Sequence, residues 1–182
     1  MRIISGIWRG KKLHPPEGKN TRPTSDKSRQ ALFNMLESRT PLAGKTILDV
    51  FCGTGALGLE ALSRGAHHTV FIDTNIKLCQ KNVRFLGAEN QTTLRQKNAL
   101  SITEYDTDNV DVLLMDPPYG QSLVPQTLKT LLPLLKKGCL IGVETEKAFS
   151  AEDLPLILPT TPLTLLSQKT HGAATLALLQ KN

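Results

Sequence analysis

From Thr46 onward, the apolar positions of this chain form short runs that alternate with helical patterns. Strands are predicted by TILDVF, TVFID, TTLRQ, VDVLLMD and CLIGVET, and helices by ALGLEALSRG, IKLCQKNVRFLG and LVPQTLKTLLPLLKKG. This alternation is typical of βαβ units, in which helices cover both faces of a parallel sheet. The last two apolar runs, in PLTLLSQKTHGAATLALLQ, are broken only at HG and predict a closing antiparallel hairpin. The pattern therefore predicts an α/β fold.

Residues 1–45 follow a different pattern. RIIS and KKLH flank GIWRG, which predicts a β-hairpin with glycine-containing turns and Trp8 near its tip. EGKNTRPTSDK has the composition of a loop, and SRQALFNMLESR predicts an amphipathic helix capped by Ser25 or Asp26. We therefore divide the chain into a hairpin-and-helix extension, residues 1–45, and an α/β domain, residues 46–182.

The composition indicates a soluble enzyme-sized domain. The chain has 182 residues, of which 40% are hydrophobic and 21% charged. No apolar run approaches the roughly 18 residues that a membrane helix needs, and the amino terminus lacks a signal-peptide pattern, so we expect a cytoplasmic protein without a membrane partner. Cys52, Cys79 and Cys139 form no CxxC pair, and we predict neither a disulfide framework nor a metal site.

The charge is unevenly distributed. Residues 1–45 contain ten Lys and Arg against three acidic residues, a net charge of +7, while the whole chain carries +6, so the remainder sums to −1. A basic extension on a near-neutral domain favours contact with a polyanion such as nucleic acid. A solvated surface without a partner is the alternative that charge alone leaves open.

A glycine-rich loop follows the first strand of the α/β part. ILDVFCGTGALG places Gly53, Gly55 and Gly58 in a GxGxxG pattern that opens a helix, which is typical of dinucleotide sites. Asp49, however, lies four residues before Gly53, and its carboxylate would repel a pyrophosphate. An acid at this position suits a cationic ligand. S-adenosylmethionine has no phosphate and carries a sulfonium and an ammonium group.

Two further residues are candidates for the same ligand. Asp73 ends the second strand, where a carboxylate can accept hydrogen bonds from both ribose hydroxyls. Asn98 ends the third strand and, with the Ala99 backbone, could contact an adenine edge. The structural alternatives are that Asp73 caps its strand and that Asn98 is a turn residue.

The fourth strand ends in VDVLLMDPPYG, which places an acid, two prolines and an aromatic residue beside the first strand. An amine on a base ring is a weak nucleophile, and the carboxylate of Asp116 and the carbonyl of Pro117 could hold its N–H groups. Tyr119 could stack on an extruded base. Alignment of the nitrogen with a methyl group would then supply much of the acceleration. The alternative is a rigid turn.

Four segments together resemble one known family. RIISGIWRGKKL, TRPTSDKSRQALFNML, LDVFCGTGALGLEALSRGA and MDPPYG are similar to the RsmD family, bacterial methyltransferases that modify one guanine N2 in 16S ribosomal RNA. The similarity runs from Arg2 to about Thr175. It implies a Rossmann-like class I fold with a seven-stranded, mostly parallel sheet, S-adenosylmethionine as methyl donor, and the small ribosomal subunit or its assembly intermediate as partner. We expect a monomer.

The resemblance also implies residue roles. The cofactor would be held by Asp49, Gly53, Gly55, Asp73, Asn98 and Ala99. The guanine would be held by Asp116, Pro117 and Tyr119. RNA would be met by Arg9, Lys11, Lys12, Arg22, Thr24 and Arg29, although Arg29 could instead simply cover the domain. Gln30 stands where the family usually has an acid.

Other functions compete with this one. Related amino methyltransferases act on adenine N6 in DNA or on a glutamine amide in release factors, and the Asp-Pro-Pro-Tyr sequence alone does not separate them. Glutamine methylation usually goes with Asn at the position of Asp116. A nicotinamide-dependent oxidoreductase is disfavoured by Asp49 and by the lack of a hydride-relay arrangement. A basic ribosome-binding module without catalysis is the remaining alternative.

Overall fold

The computed structural model describes residues 1–16, 25–118, 123–146, 151, 154, 163–171 and 174–182. The strands are β1 (Thr46–Val50), β2 (His68–Asp73), β3 (Thr92–Gln96), β4 (Val112–Met115), β5 (Leu140–Glu146), β6 (Leu163–His171) and β7 (Ala174–Lys181). The α-helices are α1 (Asp26–Glu37), α2 (Ala56–Ser63), α3 (Lys77–Leu86), α4 (Glu104–Thr107) and α5 (Leu123–Leu131).

The strands form one sheet in the order β3-β2-β1-β4-β5-β7-β6. Strands β1 to β5 pair in parallel, and β7 pairs antiparallel with both β5 and β6. The sequence prediction of a seven-stranded, mostly parallel sheet with a closing antiparallel hairpin is confirmed. The chain winds outward from β1 to β3 and, in the other direction, from β4 to β5. A ligand crevice is expected where these directions part, at the carboxyl ends of β1 and β4.

Two hydrophobic layers cover the sheet. Adjacent residues of β1 enter opposite layers: Ile47 packs with α1, α2 and α3, whereas Leu48 packs with α5 and the residues around α4. Both side chains are fully buried. Alternation of side chains along a strand explains why a sheet covered on both faces has continuously apolar strands.

The ends of two helices follow from their residue types, and a third helix is shorter than predicted. Ser25 caps α1, because its Oγ accepts a hydrogen bond from the Ser28 N–H at 2.9 Å. Gly87 ends α3 in the left-handed conformation. Helix α5, in contrast, ends at Leu131 instead of continuing to the following lysines. Pro133 explains the difference, since proline lacks an N–H donor and disfavours helical backbone in the residue before it.

The amino-terminal segment forms less of a hairpin than predicted. Arg2 and Lys12 make a single antiparallel bridge, and no regular strand is formed in residues 1–16. The backbone donors of this segment pair elsewhere: the N–H groups of Ile4 and Ser5 donate to the Glu60 carboxylate at 2.7 and 3.0 Å. Docking onto α2 therefore replaces part of the expected strand pairing.

Helix α1 contributes to the same core as the sheet. Leu32, Phe33 and Leu36 are fully buried, and α1 contacts β5 and β7. Residues on both sides of position 45 thus share one hydrophobic cluster; a domain boundary there stays a prediction. In the described ranges, none of the helices combines the length and apolar character needed to cross a membrane.

Candidate active site

The glycine-rich loop leaves β1 at the predicted crevice. Phe51, the first residue after β1, has a positive φ of 63°, an uncommon conformation for a non-glycine residue that is found mainly at turns and functional sites. The Cys52 N–H extends the pairing with β2 by donating to the Ile72 carbonyl at 3.2 Å. The Gly53 N–H then donates to Asp73 Oδ2 at 2.9 Å. The loop is therefore fixed to the carboxyl end of β2.

Asp73 joins three strand ends. Its other carboxylate oxygen accepts from the Asn75 N–H at 3.0 Å, and its carbonyl accepts from the Lys97 N–H at 3.0 Å, just beyond β3. Asp73 thus acts as the strand-end cap that was considered from the sequence. Its Oδ1 also accepts from the Thr74 hydroxyl at 3.3 Å, whereas Oδ2, which accepts from Gly53, has a second acceptor site, so this capping role is compatible with a ribose contact.

Asp49 lies beneath the loop and is buried. Its Oδ2 accepts a hydrogen bond from the Gly58 N–H at 2.8 Å, in the first turn of α2. Burial, and to a smaller extent the charges of Asp116 and Asp73, raise the pKa of Asp49 to about 8 against the lowering effect of this hydrogen bond. A positively charged ligand would favour the ionised carboxylate, whereas a pyrophosphate would be repelled by it.

Two glycines have distinct steric roles. A Cβ at Gly58 would lie 2.4 Å from Cε1 of the Phe71 ring and 2.7 Å from Cγ2 of Thr69, so α2 packs against β2 at a distance only glycine allows. At Gly53, which has a φ of +50°, an added Cβ would meet nothing within 4 Å. The space above Gly53 is open to a ligand.

Asn98 and Ala99 follow β3. The Asn98 Oδ1 accepts from the Leu100 N–H at 2.8 Å, so the side chain caps a short 3-10 turn, which is the turn role considered from the sequence. Ala99 is buried in the layer that includes Leu48. Their position beside Asp73 is compatible with an adenine contact.

Asp116 and Pro117 follow β4 directly. Met115 pairs with Val50, which places Asp116 beside the start of the glycine loop. Asp116 is half-buried and Pro117 is buried. The charge of Asp116 is one cause of the raised pKa of Asp49, so the two carboxylates lie within electrostatic range. Tyr119 lies outside the described residues.

Two buried polar residues were missed from the sequence. Asn82 of α3 accepts from the His14 N–H at 2.7 Å and donates to the Thr54 carbonyl at 2.9 Å, so it connects the amino-terminal segment with the glycine loop. Glu60 of α2 accepts from the amino-terminal segment and from Arg64 Nε at 2.9 Å. For Glu60, the available signal in the sequence was a charged side chain on an otherwise apolar helix, ALGLEALS.

The residues predicted to contact RNA differ in their exposure to solvent. Arg9, Lys11 and Lys12 are exposed, and Arg22 and Thr24 lie outside the described residues. Arg29 does not fit the predicted RNA contact but agrees with the alternative that it covers the domain, because its side chain is fully buried. Its guanidinium donates to the Arg2 carbonyl and to Asp26 Oδ1, the latter at 2.9 Å, and lies 3.7 Å from Glu60.

Arg29 therefore holds the amino-terminal segment in place instead of facing a ligand. Gln30 contacts neighbouring side chains: its Nε2 donates to Asn34 Oδ1 at 2.6 Å, and its Oε1 accepts from Arg64 at 3.4 Å. The three cysteines are buried free thiols. Within the described ranges, no group of three or more His, Cys, Asp and Glu side chains could hold a metal ion.

Comparison with known proteins matches nearly the whole chain to one protein family. The family model described as conserved hypothetical protein 95 matches residues 1–180. Ribosomal RNA small subunit methyltransferase D of Haemophilus influenzae is 36% identical over 188 residues, which cover 99% of this chain and 93% of that protein. The protein of the same name from Escherichia coli is 35% identical, with 100% and 90% covered. The solved structure of yhhF from Escherichia coli is 33% identical, has a TM-score of 0.79, and covers 100% of this chain and 98% of that one.

Proposed function

This chain belongs to the RsmD family, and we propose that it transfers a methyl group from S-adenosylmethionine to the exocyclic N2 amine of one guanine in 16S ribosomal RNA. Its fold is that of the Rossmann-like class I methyltransferases. The observation that carries the proposal is the placement of Asp49 and Asp116 at the carboxyl ends of the adjacent strands β1 and β4, with the open face of Gly53 beside them.

The cofactor residues fit a cationic nucleoside. The buried carboxylate of Asp49 favours a positively charged ligand over a pyrophosphate, and its hydrogen bond to Gly58 holds the first turn of α2 in position. Asp73 offers acceptor sites for ribose hydroxyls and fixes Gly53. Asn98 and Ala99, at the end of β3, would border the adenine. S-adenosylmethionine supplies a methyl group activated by its sulfonium.

The guanine amine would be held by Asp116 and the Pro117 carbonyl. Both groups accept hydrogen bonds, so they can orient the two N–H bonds and leave the nitrogen directed at the methyl carbon. The nitrogen–carbon bond forms as the carbon–sulfur bond breaks. The positive charge that develops on the nitrogen is stabilised by the Asp116 carboxylate, and one N–H proton then leaves to water.

The RNA partner is inferred from relatives and charge. The two relatives described above are named as methyltransferases of small-subunit ribosomal RNA. The exposed bases Arg9, Lys11 and Lys12 offer phosphate contacts on the amino-terminal segment. Together these observations favour a ribosomal RNA substrate over DNA or a release factor.

A methyl-transfer assay with labelled S-adenosylmethionine tests the proposal. The substrates are small ribosomal subunits from cells lacking this protein, free 16S ribosomal RNA, DNA and a release factor, and the product is mapped by mass spectrometry. We expect label on one guanine N2 of the subunit. Label on DNA or on the release factor would contradict the proposed substrate, and no label on any of them would contradict the proposed activity.

A further inference from the structure

A basic cavity lies at the opposite end of the sheet from the glycine loop. It has a volume of about 470 Å³, and the described residues that line it include Arg39, Lys45, Lys136, Lys137 and one acid, Asp111. Lys45 precedes β1, Asp111 precedes β4, and Lys136 precedes β5. The cavity therefore opens at the amino ends of the parallel strands, whereas Asp116 lies at their carboxyl ends.

The negative charge of the acid in the cavity is already paired with lysines. Asp111 accepts from the Thr46 N–H at 2.9 Å and from Lys136 at 2.8 Å, and Lys45 Nζ lies 3.7 Å from it. Partial burial acts to raise the pKa of Asp111, but the bonds from Lys136 and Thr46 and the lysine charges hold it below its usual value. Asp111 is therefore an anion at neutral pH and offsets one of the four cations.

Two cations are left without a carboxylate. In the part of the chain that the structure describes, Arg39 and Lys137 take part in no ion pair. Glu37, the acid nearest to Arg39 in sequence, is 2.7 Å from Arg64 instead. Both cations are exposed at the cavity. The described lining has a net positive charge and contains no aromatic side chain on which a base could stack. A concave site of this kind suits phosphate groups.

The amino-terminal segment connects this end of the molecule with the active site. At the active-site end, Asn82 binds the His14 backbone and the Thr54 carbonyl. At the other end, the Ile7 N–H donates to the Ser63 carbonyl at 2.9 Å, where α2 finishes. The segment thus runs along the whole of α2, about 12 Å.

The turn of this segment lies next to the loop that leads to the cavity. Gly65, two residues after the end of α2, accepts from the Gly44 N–H at 3.0 Å, and the Lys45 carbonyl accepts from the His67 N–H at 2.8 Å. Arg9, in the turn, and Lys45, in the cavity, are therefore presented at the same end of the molecule. The exposed bases Arg9, Lys11 and Lys12 belong to the segment that joins the two ends.

We propose that the cavity between the α1–β1 and α5–β5 loops binds phosphate groups of the RNA backbone, as a second contact remote from the methylated base. The inference rests on the proposed function for the identity of its RNA. The contact itself is independent of base sequence, since phosphate recognition depends on charge and is weakened by salt.

The test compares two double variants of equal charge. Arg39→Ala with Lys137→Ala removes the free cations of the cavity, and Lys129→Ala with Lys169→Ala removes two exposed lysines elsewhere. Binding of a short RNA duplex of unrelated sequence is measured by fluorescence anisotropy at several salt concentrations, and binding of small ribosomal subunits is measured in parallel. Because the four side chains are exposed, both variants should fold normally.

We expect the cavity variant to bind the duplex several-fold more weakly. Its plot of log affinity against log salt should be less steep than that of the native protein by about 1–2, with little change in the control. Equal slopes in the two variants would overturn the inference. Inorganic tripolyphosphate is a second probe: if it binds the native protein but not the cavity variant, while the RNA slopes are equal, the ligand is a free phosphate compound and the RNA assignment is wrong.

The outcome is separate from that of the methylation assay. The duplex requires neither the correct target base nor the methyl donor, so a slope difference would support the phosphate site even if no guanine were methylated. Conversely, methylation of the small subunit with equal slopes would support the proposed function and overturn the second contact.

Discussion

Two acidic side chains at the carboxyl ends of β1 and β4 have different surroundings and different proposed roles. Asp49 is buried, and its hydrogen bond to Gly58 ties it to the fold. Asp116 is half-buried directly after β4, where we propose that it holds the target base. Loss of the Asp49 carboxylate should therefore change the stability of the protein and its binding of the cofactor, and loss of the Asp116 carboxylate should change the rate of the chemical step.

Replacing Asp116 by alanine removes the carboxylate that would hold the guanine amine. We expect the rate of methyl transfer at saturating substrate to fall by about 100- to 10,000-fold, while the Kd of S-adenosylmethionine measured by calorimetry changes little. Asp73→Ala is the matched comparison, because it removes an acid of the cofactor side and should raise the Kd. A large loss of cofactor affinity in Asp116→Ala would contradict the role in holding the amine.

Replacing Asp49 by asparagine removes a group that titrates near neutrality. Because the folded pKa of about 8 lies above the usual value, the folded state keeps a proton that the unfolded chain releases near pH 4. This contribution to stability is full below pH 4 and is lost as the pH rises to 8, by up to about 1.4 kcal/mol per pH unit.

The measurement for Asp49→Asn is urea unfolding at several pH values between 5 and 8. The free energy of unfolding of the variant should rise relative to that of the native protein as the pH increases. Subtracting the two curves removes the opposite effect of Asp106 and Asp111, whose pKa values are lowered in the folded state. Parallel curves would mean that Asp49 is ionised throughout this range.

At the scale of elements, helix α2 connects the cofactor loop with the amino-terminal segment. Its first turn carries Gly58, which faces Asp49 and the Phe71 ring, and its other end binds the backbone of Ile7. Glu60, between them, accepts from the segment. The position of α2 therefore affects both the cofactor site and the proposed RNA path.

Gly58→Ala would test how closely α2 must approach the sheet. The added methyl group would clash with the Phe71 ring, so α2 should move outward, and we expect a loss of about 1–3 kcal/mol in the free energy of unfolding, with weaker S-adenosylmethionine binding. The control is the double variant with Phe71→Leu, which removes the ring. The glycine substitution should cost less in that background. Additive effects would show that the ring is not the obstacle.

Local patterns predicted the elements of the active site but not their long-range partners. The strand β1, the glycine loop and the end of β4 follow from apolar runs and turn residues that are adjacent in sequence, and the structure has all three. The docking of Ile4 onto Glu60 joins residues 56 positions apart, which no local pattern encodes. For the same reason, the sequence left both an RNA contact and a covering position open for Arg29: its buried partners, the Arg2 carbonyl and Glu60, are distant in sequence.

At the scale of the whole molecule, the amino-terminal segment combines a structural part with a charged part. Ile3 and Leu13 are buried in the core shared with the sheet, and Arg29 and Asn82 bind the segment's backbone. The basic side chains of the same segment point to solvent. Its contribution to folding and its proposed contribution to RNA binding can therefore be separated by experiment.

Deletion of residues 1–13 should destabilise the whole protein instead of removing a detachable RNA-binding part. Burial of Ile3 and of Leu13 each contributes about 1.5–3 kcal/mol, and the Glu60 carboxylate would lose the two backbone donors Ile4 and Ser5, at a cost of about 1–3 kcal/mol. These losses approach the total stability of a typical domain, about 5–15 kcal/mol. Thermal unfolding should show a large fall in Tm or no cooperative transition.

The matched variant for the deletion is Lys11→Ala with Lys12→Ala, which removes two exposed charges and no buried contact. Its free energy of unfolding should stay within about 0.5 kcal/mol of the native value, while RNA binding weakens and its salt dependence flattens. Because the variant keeps the docked backbone, a loss of RNA affinity in it reflects charge alone. A deletion that unfolds with the native Tm would show instead that α2 and the sheet are stable without the segment, and that residues 1–13 form a separable appendage.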